Sequence, residues 1–63
     1  MEDLEKFIKE RLQEIEELYD FYLDKLDRSF DFQEQIQYET RLRELRIEKR
    51  TLENILRVMN GEE

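Results

Sequence analysis

Leu26-Asp27-Arg28-Ser29-Phe30-Asp31-Phe32-Gln33-Glu34-Gln35-Ile36 is the stretch that decides the fold. It separates two long periodic segments. It has neither Gly nor Pro, so the break must be read from the apolar pattern and from capping chemistry. The apolar rhythm lapses over Arg28–Asp31. Asp31, followed three residues later by Glu34, fits a capping box, in which the carboxylate of one residue accepts from the backbone N–H of the other and the second side chain reaches back. A new helix is therefore expected to start at Phe32.

Upstream, Leu4, Ile8, Leu12, Ile15, Tyr19, Tyr22 and Leu26 recur at steps of three and four. At about 100° per residue they fall within an arc of about 80°. Phe7, Leu18 and Leu23 widen that stripe. Asp3 is a candidate N-cap, and the first helix is expected over about 3–27. Downstream, Asn60-Gly61 follows the last apolar residue, Met59, and a Gly just past a helix is a common stop. The second helix is expected over about 32–60, with a connector at 28–31. The fold class is all-α: a single antiparallel helical hairpin filling residues 1–63. The rival arrangement is one unbroken helix in a long coiled coil.

The second helix carries two apolar rows. Tyr38, Leu42, Leu45, Lys49, Leu52, Leu56 and Met59 form a heptad seam with one polar member. Ile36, Thr40, Ile47, Thr51, Ile55 and Val58 form another, centred about 140° away. One neighbouring helix covers one row. The expectation is that a second copy covers the other, through Ile36, Ile47, Ile55 and Val58, giving a homodimeric four-helix bundle. The competing reading is that these are scattered exposed apolar residues of the ordinary kind. In length and layout the chain resembles the small RNA-binding hairpin dimers of plasmid copy control, a likeness of architecture without matching residues.

Energetics point to association as well. With 63 residues, a compact chain burying about 4,000 Å² of apolar surface at about 25 cal/mol/Å² gains on the order of 100 kcal/mol. Ordering the chain at about 1.5 kcal/mol per residue costs about 95 kcal/mol. The chain contains no Cys and no His, so neither a disulfide nor a Cys/His zinc site closes the gap.

The same composition limits the chemistry. Ser29 is the only serine and Gly61 the only glycine. A Ser-His-Asp triad, a thiol nucleophile and a glycine-rich phosphate loop are excluded. No enzyme activity, cofactor or metal is expected. No apolar run approaches the roughly 18 residues of a membrane span. The first five residues are acidic where a leader would be basic, and a cytoplasmic location is expected.

Net charge is -7, from 18 acids and 11 bases. Residues 2–17 hold seven acids and three bases, whereas 41–57 hold six bases and three acids. Antiparallel pairing brings these segments together. Glu10, Glu14, Glu17, Asp20, Asp24 and Asp27 line the outer side of the first helix. Such a carboxylate row can imitate phosphates and occupy a basic groove on another protein. Phe21 stands among these acids, away from the core stripe, as a partner anchor or as part of a wider oligomer seam. Phe30 and Phe32 are expected to plug the bundle end beneath the connector. On the second helix Arg43, Arg46, Arg50 and Arg57 form a strip that can track phosphates, or that pairs locally with Glu39 and Glu53. A net charge of -7 disfavours a nucleic-acid partner. The functional expectation is a protein-interaction module, by size and style a small regulator or inhibitor of the kind phages and mobile elements encode. The alternatives are an RNA- or DNA-binding hairpin dimer using the arginine strip, or a structural coiled-coil subunit of a larger assembly.

Overall fold

The computed structural model describes residues 2–61, without the side chain of Glu2. Two helices, α1 (Glu2–Arg28) and α2 (Phe32–Met59), are joined by a three-residue connector and pack side by side. The expected boundaries hold to within a residue. α1 starts one residue earlier, so Asp3 lies inside the first turn and is not the cap.

The connector forms by capping, with one correction. Asp31 is the N-cap of α2 in an extended conformation, and its Oδ1 accepts from the backbone N–H of Gln33 at 2.9 Å, not from that of Glu34. The Asp31 carbonyl accepts the first helical bond, from Gln35 N–H at 3.0 Å. Glu34 does not reach back to Asp31. Its Oε2 instead accepts from the Ser29 hydroxyl at 3.1 Å, and the Gln35 side-chain amide donates to the Ser29 carbonyl at 2.9 Å. The connector is short enough that Ser29 sits over the first turn of α2 and takes the partners a capping box would have used.

The far end of α2 stops as expected. Asn60 is the C-cap, its N–H donating to the Leu56 carbonyl at 3.0 Å, and Gly61 N–H donates to the Val58 carbonyl at 3.0 Å. Gly61 has φ +77°, a conformation that costs an L-residue with a Cβ roughly 1–2 kcal/mol.

The core is the meeting of the two seams. Ile8 and Ile15 of α1 and Leu42 and Leu45 of α2 are buried. Leu12, Tyr19, Tyr22 and Leu26 are half-buried against Tyr38, Lys49, Leu52, Leu56 and Met59. The Tyr22 and Tyr38 rings meet across the groove with centroids 6.1 Å apart. Leu4 departs from its stripe and is exposed, as are Phe7 and Leu23. Two cylinders touch along a line, so a residue off the facing seam finds no neighbour unless a third element is present.

Phe30 and Phe32 are 99% and 73% exposed. They do not plug the end of the hairpin: Phe30 lies in the three-residue connector and Phe32 at the start of α2, and both side chains stand in solvent.

The hairpin is a slab of 45 × 19 × 12 Å with a radius of gyration of 14.4 Å. A globular chain of 63 residues would have about 10.6 Å. Its accessible surface is 5485 Å², against about 4,450 Å² for a compact protein of 8.0 kDa. About 1,000 Å² more surface is left in water than a compact fold of this mass leaves. No described helix is long and apolar enough to cross a membrane.

Candidate interaction surfaces

The acidic row runs along the exposed side of α1, with Glu14 turned towards the groove edge that holds Arg11 and Glu48 and Asp20 towards the other edge. Glu10, Glu14, Glu17, Asp20, Asp24 and Asp27 are all exposed. Half of the row is engaged locally. Glu14 accepts from Arg11 Nη1 at 3.1 Å, Glu17 accepts from the Gln13 amide at 3.5 Å, and Asp24 pairs with Arg28 Nε at 3.2 Å. Glu10, Asp20 and Asp27 make no ion pair within 4.0 Å among the described residues. Phe21 is exposed within this row. Its ring meets that of Tyr22 edge-on, with centroids 5.3 Å apart, and Lys25 Nζ lies 5.4 Å from its centroid. One face of the ring is thus held by a cation at helical spacing, a contact worth about 0.5–1 kcal/mol at an exposed site.

Arg43, Arg46, Arg50 and Arg57 are exposed on α2. The expected local pairs with Glu39 and Glu53 do not form within 4.0 Å among the described residues. Arg46 instead donates from Nη2 to the Tyr19 hydroxyl at 3.0 Å, and that hydrogen bond holds its guanidinium protonated more firmly. Of the strip, Arg46 lines a groove that Glu16 and Asp20 of α1 also line.

One feature escaped the sequence reading. Arg11 reaches across the groove to Glu48, with Nε and Nη2 donating to the two carboxylate oxygens at 2.5 and 3.0 Å. The hydrogen bonds from Arg11 hold the Glu48 carboxyl below the ordinary carboxylate range. Those from Arg11 to Glu48 and Glu14 push the guanidinium pKa up in turn. The opposite net charges of the two segments hinted at such a contact, but not at these partners.

The outer row of α2 is open in the hairpin. Ile36, Ile47, Ile55 and Val58 are all exposed. Between them, the Thr40 hydroxyl donates back to the Ile36 carbonyl at 2.9 Å, so it is satisfied within its own helix. Among the described residues no group of three or more acidic side chains is placed to hold a metal ion.

No protein-family model matches the chain, and neither a curated protein nor a solved structure matches it.

Proposed function

We propose that this chain is a non-enzymatic helical interaction module. It assembles with a second copy of itself and regulates or inhibits another protein by occupying it. The observation that carries this reading is the imbalance of apolar placement. Among the described residues four large apolar side chains are buried while ten are exposed, Phe7 and Phe21 among them. Scattered exposed leucines are ordinary. An exposed set larger than the buried core, on a chain of 8.0 kDa, is what remains when an interface is opened. The acidic row on α1 is the surface offered to the partner protein. It is long, regular and of one sign, and it suits a basic groove that ordinarily accepts phosphates.

Sedimentation together with capture by an immobilised chain tests this reading. The expected result is a dimer whose capture of a basic partner is lost when Glu10, Glu17 and Asp20 are changed to Lys. A monomer whose capture is indifferent to that reversal contradicts it.

A second reading rests on a separate observation: the expected glutamate partners of the arginine strip are not engaged with it. An RNA or DNA backbone could take their place. Gel shift with duplex and hairpin RNA at low salt tests it. Binding that falls steeply with salt and is lost on Arg43→Glu with Arg50→Glu supports the second reading, and absence of any shift removes it.

A further inference from the structure

Beside its core stripe, α1 carries a second unbroken row at three-and-four spacing: Leu4, Phe7, Arg11, Glu14, Leu18 and Phe21. The Arg11–Glu48 pair shows which way this row faces. It flanks the groove on the side where Arg41, Glu44 and Glu48 of α2 lie. Helical spacing carries the same side of α2 on to Ile55, with Val58 at its edge. Leu4, Phe7, Phe21, Ile55 and Val58 are all exposed there. The opposite broad side carries Glu16, Asp20, Arg46 and Lys49 across the groove.

We propose that the second copy docks on the broad face that holds Arg11 and Glu48, not on the outer row of α2. This rests on the self-assembly reading above and assigns its interface. Three observations support it. The slab is 45 × 19 Å across its broad sides, so a broad face engages both helices and can supply the roughly 800 Å² per partner of a standard interface. That is close to the area by which the hairpin exceeds a compact fold. Contact along the outer row engages one helix edge only.

The second observation is charge. The middle of the broad face mixes both signs, with Arg11 and Arg41 among Glu14, Glu44 and Glu48. Both ends are apolar: Leu4, Phe7 and Ile55 at the open end, Leu18 and Phe21 towards the connector. A two-fold pairing can then set apolar ends on apolar surface and mixed charges on mixed charges.

The third is that the outer row fails the same requirement. Ile36, Ile47 and Val58 recur every eleven residues, so along the axis they stand about 16 Å apart. An antiparallel two-fold through Ile47 would place Arg43 of one copy beside Arg50 of the other along one flank. Along the other flank it would bring Glu44 of one copy towards Glu48 of the other. Like charges so placed oppose the contact.

Hydroxyl-radical footprinting of the unmodified chain, at a concentration where sedimentation shows the dimer and after dilution, tests the assignment. Phe7 and Phe21 are expected to lose reactivity on association, and Ile47 to keep it. As a second measurement, Phe7→Glu weakens dimerisation at least tenfold, with helical content checked by circular dichroism, whereas Ile47→Glu does not. A dimer that protects Ile36 and Ile47 and leaves Phe7 reactive overturns the face but keeps self-assembly. A monomer at every concentration overturns both.

Discussion

Arg11 and Glu48 stand 37 residues apart in the chain and form a two-pronged ion pair across the groove. Among the described residues it is the one ion pair that joins α1 to α2. Both side chains keep about a third of their surface in water, so the pair fixes register more than it adds stability.

Replacing Glu48 by Gln is accordingly expected to cost no more than about 1 kcal/mol at neutral pH. The sign with pH follows from the lowered Glu48 pKa. The fold favours the ionised form, so the contribution is complete above the ordinary glutamate pKa and is lost as pH falls through the lowered one. Chemical denaturation at fixed chain concentration should show wild type and Glu48→Gln differing at pH 7 and converging in acid. A gap that widens in acid would contradict the assignment.

Ile15 is 1% exposed at the centre of the core. Truncation to Ala leaves a cavity between the helices and is expected to cost about 2–5 kcal/mol. A chain this small has little stability to lose, so Ile15→Ala should be largely unfolded by circular dichroism at room temperature. Ile47→Ala, at a position 60% exposed, should change stability by no more than about 0.5 kcal/mol.

The connector separates its two acids. Asp31→Ala removes the acceptor for Gln33 N–H and is expected to cost about 1 kcal/mol. Glu34→Ala removes only the exposed contact to Ser29 and should cost less. Hydrogen exchange at the Gln33 amide reads the difference directly. Equal losses for both variants would restore the capping box as first expected.

The acidic row makes a prediction about salt. Exposed charges more than a Debye length apart are screened. Capture of a basic partner should weaken steeply as ionic strength rises, while the helical signal stays constant. Capture that survives molar salt would contradict recognition through the carboxylates.

Much of the fold is legible in the sequence because it depends on local periodicity. The Tyr38–Met59 seam, the stop at Gly61 and the break before Phe32 each follow from residues within a few positions of one another. The failures share a cause. Phe30 and Phe32 read as a plug because aromatic residues near a helix end usually find cover, yet the space beneath a connector depends on how many residues close it. Arg43 and Arg50 stand at pairing distance from glutamates along the helix. Exposed ion pairs are weak enough, however, that spacing alone does not fix rotamers. Arg11–Glu48 depends on the register of two helices, which no single helix encodes. The charge surfaces are visible as rows, whereas Phe7 and Leu18 read in the sequence only as flanks of the core stripe.

The mass of the chain in solution, measured by sedimentation equilibrium over a micromolar dilution series, bears most directly on whether the hairpin is complete by itself. A species of twice 8.0 kDa that dissociates and loses helix together on dilution is the predicted result. A species of 8.0 kDa that stays helical and melts at the same temperature at every concentration would contradict it.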